Sequence, residues 1–188
     1  TRRMDDKMKN AQRLLLCLPL LITLMACKES VAKYTVGPNA DLHGIVFGKK
    51  TLSNTDLTGA NLTDSNLNSV DLTGSLLTSA DLTRATSNKD TILKRANLDS
   101  AILVNASMLA TDFTGASLNG TNLSVAKLAG ANFTQANMRG AVLSGASLDD
   151  AIMASAVLTS ANLEGANSKQ NLNLSDANLV DAILKSAS

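Results

Sequence analysis

A bulky apolar residue returns at every fifth position through most of this chain, and that spacing constrains the fold more than any other feature. One register runs Leu42, Phe47, Leu52, Leu57, Leu62, Leu67, Leu72, Leu77 and Leu82. A second holds fifteen such residues from Leu93 to Leu163, and a third adds Leu174, Leu179 and Leu184. Two residues ahead of the bulky one, the second block is nearly all alanine, as at Ala96, Ala101, Ala106, Ala116 and Ala126. The residue between is often Asn or Asp, as at Asp56, Asn61, Asp71, Asp81, Asn97 and Asn132.

Period five matches neither the 3.6-residue helix nor the two-residue strand. A helix would turn about 500° per repeat and scatter the leucines around its surface. A solenoid in which each repeat forms one side of a square coil does fit. The Leu and Ala of one coil then stack on their counterparts in the next, and twenty residues make one turn. Coils spaced at about 4.8 Å give a rod of about seven turns, roughly 35 Å tall. The composition agrees. Aromatics are only 2% of the residues, so the core must be built from Leu and Ala.

The quoted units Ala60-Asn61-Leu62-Thr63-Asp64, Ala80-Asp81-Leu82-Thr83-Arg84 and Ala161-Asn162-Leu163-Glu164-Gly165 resemble the A-[D/N]-L-x-x pattern of the pentapeptide-repeat family. The resemblance covers about residues 40–188 and implies an all-β, right-handed quadrilateral β-helix. It also implies end-to-end self-association through the last coil, since some members pair in this way.

The register breaks twice. Leu82 to Leu93 and Leu163 to Leu174 each contain one extra residue, and Ser87 and Ser168 stand where a bulky residue is expected. The two serines are eighty-one residues apart, which is four coils plus one insertion, so both bulges should fall on the same side. They read as tolerated loop insertions; recognition bumps are the other reading.

Ahead of the repeats lies an export leader. Lys7, Lys9 and Arg13 precede an apolar run from Leu14 to Ala26, which ends at Cys27. Thirteen residues at about 1.5 Å each span about 20 Å, short of a bilayer core. This is the length of a signal-peptide core. Leu24-Met25-Ala26-Cys27 resembles the bacterial lipobox, which implies lipidation of Cys27 and cleavage before it. By the same resemblance, Lys28 lacks the aspartate that retains such proteins at the inner membrane. The expected organisation is a leader over 1–26, a lipid-anchored tether over 27–39 and the solenoid over 40–188. The expected address is the cell envelope, at the outer membrane in a Gram-negative cell.

Several function classes are disfavoured. One His (His43) and two Cys leave no Cys/His zinc site, no disulfide framework and no Ser-His-Asp triad. Neither enzyme activity, cofactor nor metal is expected. Some pentapeptide-repeat proteins mimic DNA and bind type II topoisomerases, which needs a strongly negative surface. Here the leader removes five basic and two acidic residues from totals of 17 and 16, leaving 12 against 14, a net −2. Nucleic-acid mimicry is therefore the alternative, and nucleic acid is not an expected partner. The leading expectation is a tethered structural or interaction module binding an envelope protein. Outward apolar residues Ile102, Val104, Leu109 and Val142 form its candidate partner surface. Their outward position is equally consistent with simple β-propensity.

Overall fold

The structure is a computed structural model that describes residues 34–188. Its backbone winds into a stack of coils joined by parallel bridges, each linking a residue to the one 20 or 21 positions on. Four ladders result, one per side of a quadrilateral. The first side runs Asp41, Asn61, Asp81, Ile102, Asn122, Val142, Asn162, Ile183. The second runs Val46, Asn66, Thr86, Ser107, Lys127, Ser147, Asn167. The third runs from Thr51 to Asn173 and the fourth from Asp56 to Asn178. Where the second side is longest in regular pairing, β1 (Thr86–Ser87) lies parallel to β2 (Ser107–Met108). Four corners connect the sides, each named here for the side it follows.

The bulky residue after each bridge points inward, as the five-residue period requires. Leu62, Leu82, Leu103, Leu123 and Leu143 form one fully buried column on the first side. On the third side Phe113 and Phe133 stack face to face, with centroids 4.7 Å apart and planes 6° from parallel. That distance is the coil spacing itself, so the aromatic stack is imposed by the backbone ladder. The alanines line the rest of the interior: Ala96, Ala116, Ala136 and Ala156 are all buried. A few polar residues share these positions. Ser75 and Thr121 hydroxyls donate to the carbonyls of Leu72 and Leu98, each at 2.7 Å. Ser65 Oγ has no partner. A buried hydroxyl without a partner costs about 1–3 kcal/mol. Ser65→Ala, which installs the residue used at Ala85 and Ala106 in the same column, should therefore raise stability by about 1 kcal/mol in denaturant titrations.

The amides of one repeat explain the polar position. In Asn61–Ser65, Asn61 N donates to Ala40 O, Leu62 N to Asp81 O, Asp64 N to Thr83 O and Ser65 N to Leu62 O. Only the Thr63 amide lacks a backbone acceptor, and Asn61 Oδ1 accepts it at 3.1 Å. The same bond recurs from Thr58 to Asp56, Thr73 to Asp71, Thr83 to Asp81 and Thr134 to Asn132. Asn and Asp recur in the sequence because a short acceptor there caps the one orphan donor of each corner.

The regular corners are type II turns, since the second turn residue alone has positive φ, as at Asp64 (57°), Ser69 (61°) and Arg84 (58°). At two corners a glycine leaves room for the asparagine side chain of the preceding coil. A Cβ at Gly74 would stand 2.6 Å from Asn54 Oδ1, and one at Gly59 would meet Asn39 in the same way.

The first corner of the solenoid comes earlier than the sequence suggests. Ala40 N donates to Gly37 O, and Asn39 N to Thr58 O at 2.8 Å. Gly37-Pro38-Asn39-Ala40 is thus a stacked turn rather than the end of a tether. Proline presets the first turn residue and Asn39 accepts the left-handed second one (φ 55°). Residues 27–33 of the expected tether, and the leader, lie outside the described residues.

Both register breaks fall at the second corner. The ladder Thr86–Ser107–Lys127–Ser147–Asn167 connects them along one side, as their eighty-one-residue separation requires. The first break satisfies its own backbone. Asn88 Oδ1 accepts the amides of Ser69 and Asp90, and Thr91 N donates to Asn88 O. Inside, the Ser87 hydroxyl bonds Thr111's hydroxyl and lies 3.1 Å from Met108 Sδ, filling the missing volume with polar contacts.

Candidate interaction surface

With the interior filled by side chains, function must sit on the outer surface. The structure places the four sequence-derived surface residues on two sides of one face. Ile102 and Val142 share the first-side ladder, separated by Asn122. Val104 lies two residues past Ile102 on the first corner. Leu109 is on the second corner, so the second side runs between it and Val104. Ile102 and Leu109 are 40% and 43% exposed. The four do not form one continuous patch. They bracket the second side, whose outward positions there are Ser107 and Lys127. Val125, 47% exposed on the first corner and stacked on Asn105, the residue after Val104, belongs with them. The five-residue pattern hid it, because it occupies a turn position usually held by small or polar residues. Its Cγ1 would stand 3.2 Å from a Cβ at Gly145, so it covers the glycine of the next coil. Cys27 lies outside the described residues.

The charged groups are mostly local. Arg84 grips Asp64 through two bonds of 2.7 and 2.6 Å across one coil step. The Arg84 bond holds the Asp64 carboxyl below the ordinary carboxylate range. His43 is exposed beside it, 2.7 Å from Thr63 Oγ1. Partial burial alone would raise Asp112, but bonds from the Thr114 hydroxyl and amide, with Lys94 at 3.1 Å, bring it below the ordinary value. The amide of Thr58 lowers Asp56, and the hydroxyl of Thr73 lowers Asp71. A carboxyl whose pKa is lower folded than unfolded stabilises the fold above its unfolded pKa. That contribution is lost as pH falls through the folded value. The melting temperature should therefore stay level from neutral pH to about 5 and fall below about 4, read by circular dichroism.

Among the described residues, no group of three or more His, Cys, Asp or Glu is placed to hold a metal ion. Val180, Ile183 and Leu184 are at least half exposed. An apolar cavity of about 270 Å³, lined by Leu148, Leu163, Leu172, Leu174 and Leu184, opens there beside Ser168. The cavity marks where the second break puts a serine in place of bulk.

A family profile matches over most of the coils. The family profile described as Pentapeptide repeats matches in eight copies over residues 39–74, 55–86, 91–128 and 126–165. Among solved structures, the chain is similar to HetL, a pentapeptide repeat protein involved in heterocyst differentiation regulation in Nostoc sp. strain PCC 7120. The two are 30% identical over 78% of this chain and 75% of HetL, with a TM-score of 0.37. QnrB1, a plasmid-mediated fluoroquinolone resistance protein, is 17% identical over 76% of this chain and 88% of its own, with a TM-score of 0.44. A pentapeptide repeat protein of the Arabidopsis thaliana thylakoid lumen is 26% identical over 65% and 68%, with a TM-score of 0.31. No curated protein matches.

Proposed function

Because the chain belongs to the pentapeptide-repeat family, we propose that it is a non-enzymatic structural or protein-interaction module, tethered by lipid to a membrane of the bacterial cell envelope. The observation that carries this reading is the leader: a basic stretch and a thirteen-residue apolar run ending in Leu24-Met25-Ala26-Cys27, directly ahead of the solenoid. In this reading the mature chain begins at Cys27, which carries the acyl chains; more than one chain is needed for stable anchoring. A short polar segment then leads into the Gly37–Ala40 turn. The rod stands off the membrane and offers the second side and its flanking Val104, Val125 and Leu109 to an envelope protein. Self-association through the last coil belongs to the same reading.

Metabolic labelling with radioactive palmitate tests it, comparing the wild type with Cys27→Ser and following both by membrane fractionation. Label that is present in the wild type, absent from the variant and found with the outer membrane is the expected result. An unlabelled, soluble cytosolic product would overturn the tether and move topoisomerase binding to the front.

A further inference from the structure

Two diagonally opposite edges of the rod differ in charge. Around the fourth corner, in the N-terminal half, stand Asp41 and Asp81 on the first side, Asp56 on the fourth side and Asp99 at the corner itself. No Lys or Arg occupies those positions before Arg139. The second corner instead carries Lys49 and Lys89, both exposed, with Asp90 at the corner and Asp71 on the adjoining third side as its acids over those levels. Neither lysine makes an ion pair among the described residues. Lys49 and Lys89 are two coils apart, about 9.6 Å along the axis by coil spacing. The pairs Asp41/Asp56 and Asp81/Asp99 are also two coils apart. The two lysines of one edge therefore lie level with the two aspartate pairs of the other.

The backbone continues the match further along the rod. Between the two breaks, the turn amides of Leu109, Ala129 and Asp149 have no hydrogen-bond partner among the described residues. Their capping position holds Ser107, Lys127 and Ser147 instead of Asn or Asp, and no other corner leaves three consecutive coils uncapped. At the same levels on the fourth corner, the carbonyls of Gly120, Gly140 and Ser160 accept no hydrogen bond, a property they share with the second turn residue of the regular turns at the other corners. Both rows repeat at the coil spacing of about 4.8 Å, so a second, parallel stack of the same coils presents its groups at the matching interval.

We propose that copies of this chain pack side by side, parallel and in register, with the second corner of one against the fourth corner of the next. Lys49 and Lys89 meet the Asp41/Asp56 and Asp81/Asp99 levels, and the uncapped amides meet the free carbonyls. The contact joins two different edges, so it leaves a free edge at each end of a row and extends without closing. Attachment to one membrane, where it occurs, would hold the rods parallel and raise their effective concentration.

Sedimentation velocity of the full chain in mild detergent, over a concentration and salt series, tests the contact. Association that weakens with added salt is expected, because the pairs are exposed. Lys49→Glu/Lys89→Glu and, separately, Asp56→Lys/Asp81→Lys should each weaken self-association roughly tenfold, and mixing the two variants should restore it. The lysine pair is exposed and outside the core, so it keeps the test valid if the aspartate variant folds poorly by circular dichroism. Ser107→Asn/Ser147→Asn, which supplies the missing caps, should weaken association while raising the melting temperature. A wild type that stays monomeric at low salt overturns the proposal. So does association that ignores both charge swaps, which would point to the last coil.

Discussion

Phe133→Ala should destabilise the fold by about 3–5 kcal/mol, the usual range for a buried phenylalanine replaced by alanine. Phe133 is fully buried in the middle of the stack and lies 4.7 Å from Phe113, so the change opens a void and removes the aromatic partner. The site has little room to collapse. Each coil is held at fixed spacing by ladder bonds such as Phe113 N to Asn132 O and Phe133 N to Ile152 O, at 2.7 and 2.6 Å. Damage should also stay local, since each coil touches only its neighbours. In hydrogen exchange, amides of the coils containing Phe113, Phe133 and Met153 should lose protection first, while those around Leu62 keep theirs. Uniform loss across the rod would mean that it unfolds as one unit and not coil by coil.

The second large effect separates two single-residue deletions. Removing Thr134, inside a regular repeat, leaves one side a residue short and shifts every later residue by one position. From Ala136 onward, inward Leu and Met side chains would be driven to the surface and polar residues into the core, as in any one-residue slip of a strand. The coils beyond the deletion should unfold, with loss of a large part of the circular dichroism signal and rapid proteolysis from that point. Removing Asp90 should do little. It lies in the extra loop at the second corner, and its deletion returns that repeat to five residues while Thr91 keeps its inward place. A cooperative melt within a few degrees of the wild type is the expected outcome. Equal damage from both deletions would show that the first break is required by the fold, and not merely tolerated by it.

This contrast also shows how much the chain announces before it is folded. Leu62, Leu82 and Leu123 could be placed in the core from spacing alone, because five residues per side is a geometric rule that a packed interior cannot relax. The same arithmetic aligned Ser87 with Ser168 across four coils. The recurring Asn and Asp were legible as turn acceptors, and the amide count of Asn61–Ser65 supplies the reason: one donor per repeat has no backbone partner. The start of the solenoid was not legible. Gly37-Pro38 looks like a linker until Asn39 N is seen to pair with Thr58 O nineteen residues away.

The surface was the least legible part. Ile102, Val104, Leu109 and Val142 are close in sequence or in phase, yet the second side separates Leu109 from the others, and Val125 joins them from a turn position. Period assigns a residue to inside or outside, and that is all it assigns. Which outward residues become neighbours depends on how four sides and four corners are arranged around the axis, and on where the two insertions shift the phase. The inward pattern and the polar caps were therefore determined by the sequence itself, since each rests on local spacing. The alignment of Lys49 and Lys89 with the aspartate pairs on the opposite edge and the uncapped amides between the breaks were decided only by the tertiary structure. Each of these depends on contacts between residues about twenty positions apart, which exist only once the coils have stacked.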